Sequence, residues 1–304
     1  MTATTTTSPP PGLVVAPRLP DLMAAPKIRR GTIGFLRNHP TVAIGGALLL
    51  LVIIGVFAPF LFTVDPTAIA PAKRTRLPSA DFWFGTDALG RDIYSRVLYG
   101  TRVSLTVGLA VALAASLIGL SIGLVAGFVR WADGVLMRCM DGLMSIPPIL
   151  LAVALMALTR GSVGNVILAI TIAEIPRVAR LVRGVVLSLR EQPYVDGAVA
   201  SGTRTPMVIL RHILPNTMAP MLVQATYICA SAMITEAILS FIGAGTPPTI
   251  PSWGNIMAEG RALWQVKPYI VFFPAAFLSV TVLAVNLVGD GLRDALDPRM
   301  AKSP

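Results

Sequence analysis

After residue 40, long charge-free runs alternate with short polar stretches, and the lengths of those runs predict membrane-spanning helices. A bilayer core of about 30 Å takes about 20 helical residues. Thr41–Val64 predicts a first span, and Val103–Val129 a second, long enough to tilt. Gly142–Thr159 predicts a third, bent at its start by Pro147 and Pro148. The fourth is short, because Gly161–Ala173 offers only 13 residues before Glu174 and Arg177. His212–Thr235 continues past Glu236 to Gly243 as a fifth span, and Pro268–Gly289 is the sixth.

Composition agrees. The chain is 54% hydrophobic and 13% charged, against roughly 25% charged residues in an average soluble domain. That excludes a conventional soluble enzyme and predicts an all-α membrane protein of six transmembrane helices. Of the 25 Lys and Arg, 16 fall on the side that holds both termini if the N-terminus is cytoplasmic. The predicted topology therefore has N and C termini inside. The first outer segment, residues 63–102, is more basic than the rule favours, with six Lys and Arg. The net charge of +10 fits basic cytoplasmic loops and needs no nucleic acid, for which no binding motif is present. Residues 1–40 open with a Thr- and Pro-rich stretch that buries too little apolar surface to fold alone, so a cytoplasmic, largely disordered tail is expected, followed by one membrane domain over 41–300.

Enzymatic chemistry finds little support. None of the four lysines follows a glycine, which rules out a phosphate-cradling P-loop. His39 and His212 are too far apart in sequence to suggest a metal cluster, and Cys139 and Cys229 give no disulfide framework.

The segment 187–216, LSLREQPYVDGAVASGTRTPMVILRHILPN, is too polar to span and too patterned for a plain linker. Pro193 ends the preceding helix, and Tyr194–Ser201 predicts two helical turns. Gly202 is suited to a left-handed cap after them. Thr205 predicts an N-cap, with Pro206 at the first helical position. Met207, Leu210 and Ile213 then share a face until Pro215 breaks the helix. Such a helix–Gly–helix unit is either a knob for a groove on another protein or an amphipathic elbow joining two spans.

The same segment resembles the EAA motif of permease subunits in ATP-binding-cassette importers. Asp196, Gly197, Ala198 and Gly202 occupy the motif positions, and His212-Ile213-Leu214-Pro215-Asn216 closes it. Asp196 stands for the usual Glu, and Gly197 for Ala at about 1 kcal/mol of helix propensity. Gly85-Thr86-Asp87, Gly90-Arg91-Asp92, Ser95-Arg96, Tyr99-Gly100, Met137-Arg138, Asp141 and Leu187–Glu191 are similar to the C-type permeases of dipeptide, oligopeptide and nickel importers. So are Leu239-Ser240-Phe241, Pro251–Asn255 and Asp290–Arg299, so the resemblance covers roughly residues 30–300. Ile175 and Val178 depart from that branch's usual aromatic positions.

The resemblance implies a type I ABC importer permease fold in the cytoplasmic membrane. It implies a second homologous permease, two cytoplasmic ATP-binding subunits or domains, and an extracytoplasmic solute-binding protein. ATP would be bound by those partner subunits, with no cofactor in this chain. Tyr194, Asp196, Gly197, Ala198, Gly202, Leu210, His212, Pro215 and Asn216 would then be ATPase-coupling residues. The solute would be a dipeptide, an oligopeptide or a related small molecule. An ATP-independent secondary transporter or channel is the competing class, but the inverted repeat expected of many such transporters is not visible.

Four further features invite readings. Gly119, Gly123 and Gly127 form a small-residue face for close helix packing, within the chain or against a partner. Trp253 and Trp264 read as interfacial anchors. Glu174 and Arg177 can pair at i, i+3. Glu236, about 27 Å beyond Met218 in the fifth span, is a candidate for the outer gate or path.

Overall fold

The computed structural model describes residues 40–57, 64–159 and 161–296. The expected N-terminal tail lies outside them apart from residue 40, and the last residues of the Asp290–Arg299 stretch do too. Regular structure among the described residues is helical, with a single isolated bridge between Thr86 and Asp92. The helices are α1 (Pro40–Phe57), α2 (Ile93–Phe128), α3 (Arg130–Met144), α4 (Pro148–Ala157) and α5 (Val163–Arg190). They continue as α6 (Pro193–Ala200), α7 (Thr205–Val208), α8 (Leu214–Phe241), α9 (Trp253–Gly260) and α10 (Tyr269–Leu296). A π turn, Ile209–Ile213, fuses α7 to α8, giving an unbroken helical stretch from Thr205 to Phe241. Among the described residues α2, that fused stretch and α10 are long and apolar enough to cross a membrane. The bent pair α3–α4 makes a fourth if it counts as one span.

Several boundaries differ from expectation for local reasons. Helix α2 starts ten residues before the charge-free run, because the Asp92 carboxylate caps it by accepting from Ser95 N at 2.9 Å. The expected third span is two helices bent by 84° before Pro148, and α3 begins at Arg130, ahead of the expected start at Gly142. Hydropathy truncated α5. It runs for 28 residues straight through Glu174 and Arg177, which pair at 3.2 Å as expected. Its further cations also find partners: Arg180 bonds Asp141 at 2.6 Å, and Arg183 grips Asp133 with two bonds of 2.5 and 2.7 Å. These carboxylates belong to α3, so α3 and α5 are tied by charge.

Contacts fix the helix directions. A Cβ on Gly119, Gly123 or Gly127 would meet Val178, Val182 or Val186, so α2 and α5 run parallel with backbones in close approach. The small-residue face therefore packs within the chain. Gly108 faces Cys229 and Met233 of the antiparallel α8. Gly45 meets Leu287 while Gly291 meets Val42, making α1 and α10 antiparallel. Tyr269, at the start of α10, packs on Ile93 and Val97 at the start of α2. One end of the bundle thus gathers 64–92, 161–162 and 242–268; the other gathers α6 and α7.

The first of these ends carries a cap built on a buried ion network. Asp87 is 1% exposed and accepts from Leu89 N and Arg91 N at 2.8 and 2.9 Å. Its second oxygen takes Arg91 Nε at 2.7 Å and Arg96 Nη1 at 2.6 Å. Both arginines also reach Glu259 on α9. Trp253 is not the interfacial anchor that was expected: it is fully buried, donating its indole N–H to Val97 O at 3.0 Å. Gly100 leaves the space for that ring. Trp264 is exposed, as an interfacial position requires.

Candidate coupling site

At the opposite end, α6 stands on one buried residue. Val195 is 1% exposed and joins the main core, while Tyr194, Asp196, Gly197 and Val199 face solvent. Ala198 is half-buried. The helix stops where the sequence said it would. Gly202 has φ +79°, its N–H donates to Val199 O at 2.9 Å, and Thr203 N–H donates to Ala198 O at 3.1 Å. That pair of bonds is a Schellman motif, which satisfies the last carbonyls of the helix. Nothing lies within 4 Å of the place a Gly202 Cβ would take, so only the backbone angle demands glycine.

The second half of the segment departs from expectation. Arg204, not Thr205, holds the cap position of α7, without a side-chain capping bond, and Pro206 is the second residue of the helix. Pro215 does not break the chain's helix. The π turn absorbs it: Leu214 N–H donates to Ile209 O, five residues back, so the proline's missing donor falls where the ladder is already widened. The same turn changes which residues share a face. Met207 and Leu210 are exposed at 53% and 60%, whereas Val208 and Ile213 are fully buried.

Three of the expected residues converge. Asn216 donates to His212 O at 2.7 Å and to the Tyr194 hydroxyl at 3.5 Å, and the Tyr194 and His212 rings lie 6.3 Å apart. This contact braces α6 against the root of α8. Asp196, Gly197, Gly202, Leu210 and Pro215 line the exposed side without side-chain bonds of their own among the described contacts. The unit therefore presents a small surface with one carboxylate, supported from behind by Val195, Val208 and Ile213.

Glu236 lies near the cap end of α8 and is fully buried. Ser240 Oγ donates to it at 2.8 Å, with Ser104 of α2 and Thr246 of the following loop at 3.4 and 3.5 Å. Asn255 of α9 donates to Thr246 Oγ1 at 2.9 Å and to the carbonyls of Thr246, Pro247 and Ile250. Sequence reading missed these partners, of which Ser104 and Thr246 lie beyond the helix that carries Glu236. A close Gly254 backbone, with no room for a Cβ against Ala237 and Ser240, seats α9 on the same spot. The pattern Gly119-Leu120-Ser121-Ile122-Gly123 matches a nucleophile elbow in letters only. It lies inside α2 rather than at a strand–helix turn, and Ser121 Oγ bonds Leu117 O.

Comparison with known proteins places this geometry. The family model described as the inner membrane component of binding-protein-dependent transport systems matches residues 102–302. A probable peptide ABC transporter permease protein of Sinorhizobium fredii is 53% identical over 276 residues, covering 90% of this chain and 95% of that protein. The dipeptide transport system permease protein DppC of Alkalihalophilus pseudofirmus is 41% identical, over 85% of this chain and 86% of its own. The glutathione transport system permease protein GsiD of Pectobacterium atrosepticum is also 41% identical, over 88% and 89%. Among solved structures, an inward-facing form of the MetNI methionine ABC transporter superposes with a TM-score of 0.57 at 19% identity, over 66% of this chain and 96% of that one. The chain is an ABC importer permease of the inner membrane, and it belongs to the family of inner membrane components of binding-protein-dependent transport systems.

Proposed function

We propose that this chain forms half of an ATP-driven import path for dipeptides or short oligopeptides, and that residues 194–216 are its contact with the ATPases. The names of its relatives support the peptide class. Six spans are expected, α1, α2, α3–α4, α5, α7–α8 and α10, with alternating directions that leave N and C termini in the cytoplasm. The charged α5 fits such a role because its cations are paired within the protein. A second homologous permease completes the path, two ATP-binding subunits or domains supply the energy, and a solute-binding protein delivers solute at the cap.

One observation carries the coupling assignment: α6 is a short exposed helix anchored by buried Val195 and closed by the Gly202 turn. In the proposed mechanism, closure of the ATPase dimer displaces α6, the fused α7–α8 rod carries the displacement to the other end, and the polar cluster around Glu236 passes it to the cap. Glu236 thereby serves the outer gate by holding the gate's parts together. Uptake of labelled dipeptides and oligopeptides by proteoliposomes, with the whole complex, ATP and the binding protein, tests this. Uptake competed by peptides supports it, and uptake independent of ATP refutes it. Competition by glutathione alone would move the substrate to the class named for the Pectobacterium relative.

A further inference from the structure

Arg177 sits where a cation is least expected. Val178 packs on Gly119, and α2 and α5 run parallel, so Arg177 is level with Ile118 and Glu174 with Ala115. Ser116 is the middle residue of the charge-free run Val103–Val129, and α2 is long and apolar enough to cross a membrane. The pair therefore lies at the level of the bilayer middle. Arg177 and Glu174 meet at 3.2 Å, yet the Glu174 side chain is 5% exposed and that of Arg177 51%. Ser231 of α8 donates to the other Glu174 oxygen at 3.4 Å. The carboxylate is thus held between α5 and α8, while the guanidinium projects from the chain. Among the described residues Glu174 is its one partner, and a guanidinium carries five donors. A cavity of about 420 Å³ opens one turn further in. Leu181, one turn beyond Arg177, and Tyr227, one turn before Ser231, both line it, together with Gln224 and Arg293. That volume falls within the range of small-molecule sites, about 300–1,000 Å³.

We propose that Arg177 receives the C-terminal carboxylate of a peptide in transit, just outward of that cavity. The contact rests on the import reading above and adds to it a residue that meets the solute and the chemistry by which it does so. Hydrocarbon is the first rival for the exposed guanidinium. Charge at the bilayer middle turns instead to a protein interior or a water-filled cavity. Snorkelling gives no relief, because Val129 at the end of the run lies about 16 Å further along α2, more than an arginine stem spans. The partner permease is the second rival. The core of a permanent interface is depleted in charge and packed like a protein interior, whereas Arg177 stands beside an open cavity with polar walls. Its pairing suits a passing ligand. Glu174 balances the charge between solutes and occupies one edge of the planar fork, and the rest of the fork can take a second carboxylate with two parallel bonds. A terminal carboxylate is also what free peptides of any sequence share, so a contact made there tolerates varied side chains.

The test uses the full complex with Arg177→Gln and, to keep the charge, Arg177→Lys. In nanodiscs without nucleotide or binding protein, saturation-transfer NMR compares dialanine with its C-terminal amide. The parent should favour the acid about tenfold, as a hydrogen bond between charged groups allows. Arg177→Gln should lose that preference and Arg177→Lys should keep part of it. In proteoliposomes with ATP and saturating binding protein, uptake of labelled dialanine should fall about tenfold in Arg177→Gln, with assembled complex recovered in the parent's yield. A parent that shows no preference for the acid, or an Arg177→Gln complex that imports dialanine at the parent's rate, overturns this assignment alone. Loss of assembled complex on either substitution overturns it in favour of a subunit contact. A parent that imports no dialanine, or imports it without ATP, overturns the import reading, and this assignment with it.

Discussion

Val208 and Ile213 are both sealed from solvent although five positions separate them. On a regular α-helix that spacing sets two side chains about 140° apart. The π turn between them brings both onto the core face and leaves Met207 and Leu210 outside. It also lets Pro215 sit within a continuous helix, so a displacement of α6 and α7 enters α8 without a joint at the proline. Wide turns of this kind recur at functional sites.

The α2–α5 seam is the first place to test the fold. A methyl on Gly123 would come within 2.6 Å of Val182 Cβ and 2.7 Å of Ala179 O. Ala gains about 1 kcal/mol of helix propensity over Gly, but overpacking against backbone costs about 1–3 kcal/mol. Gly123→Ala should therefore lower the unfolding temperature of the purified permease. Gly134→Ala, where nothing lies within 4 Å, should leave it equal or raise it.

Arg96 holds Asp87 and Glu259 together at 1% exposure. Arg96→Leu leaves buried Asp87 with Arg91 as its one remaining cation, so the loss should stay below the about 3–5 kcal/mol of a fully broken buried pair. Arg96→Lys keeps the charge without the fork that reaches both acids, and should fall between. Monodispersity on heating in detergent orders the three proteins: parent, Lys, Leu. Leu equal to parent would remove the network from any role in holding the cap.

Glu236→Gln preserves shape and part of the bonding to Ser240, Ser104 and Thr246, whereas Glu236→Leu leaves those hydroxyls without their acceptor at about 1–3 kcal/mol. Gln should assemble normally yet transport poorly, and Leu should also lose stability. Vesicle uptake together with yield of the assembled complex separates the two effects. Normal uptake by both variants would reduce Glu236 to a tolerated polar residue.

The parts legible in the sequence are those governed by local rules. Charge-free runs located α2, α8 and α10, and the need for a positive φ at a helix end located Gly202. What escaped depends on partners far along the chain. Hydropathy cut α5 at Glu174 because it cannot know that Arg180 and Arg183 meet Asp141 and Asp133 of α3. Arg96 lies 163 positions from Glu259, so nothing local linked them. The Arg91–Asp87 spacing of four is the one local signal for part of the network. Trp253 looked interfacial because its acceptor, Val97 O, belongs to a distant helix. The π turn escaped because a 3.6-residue period was imposed on Met207, Leu210 and Ile213.

Gly202→Val tests the coupling assignment most directly. Open space surrounds the position, so the substitution adds no clash; it only asks a β-branched residue to hold φ +79°, at a cost of about 1–2 kcal/mol. The Schellman turn should open and α6 should tilt, while the membrane helices stay inserted. In nanodiscs the measurement is binding-protein-stimulated ATP turnover, alongside copurification of the ATPase subunits. The expected result is a folded permease pair that retains its ATPases poorly or leaves them unstimulated, with Gly202→Ala milder and Gly202→Asn close to the parent. A Val variant that docks, hydrolyses and transports like the parent would make residues 194–216 a passive connector and contradict the assignment.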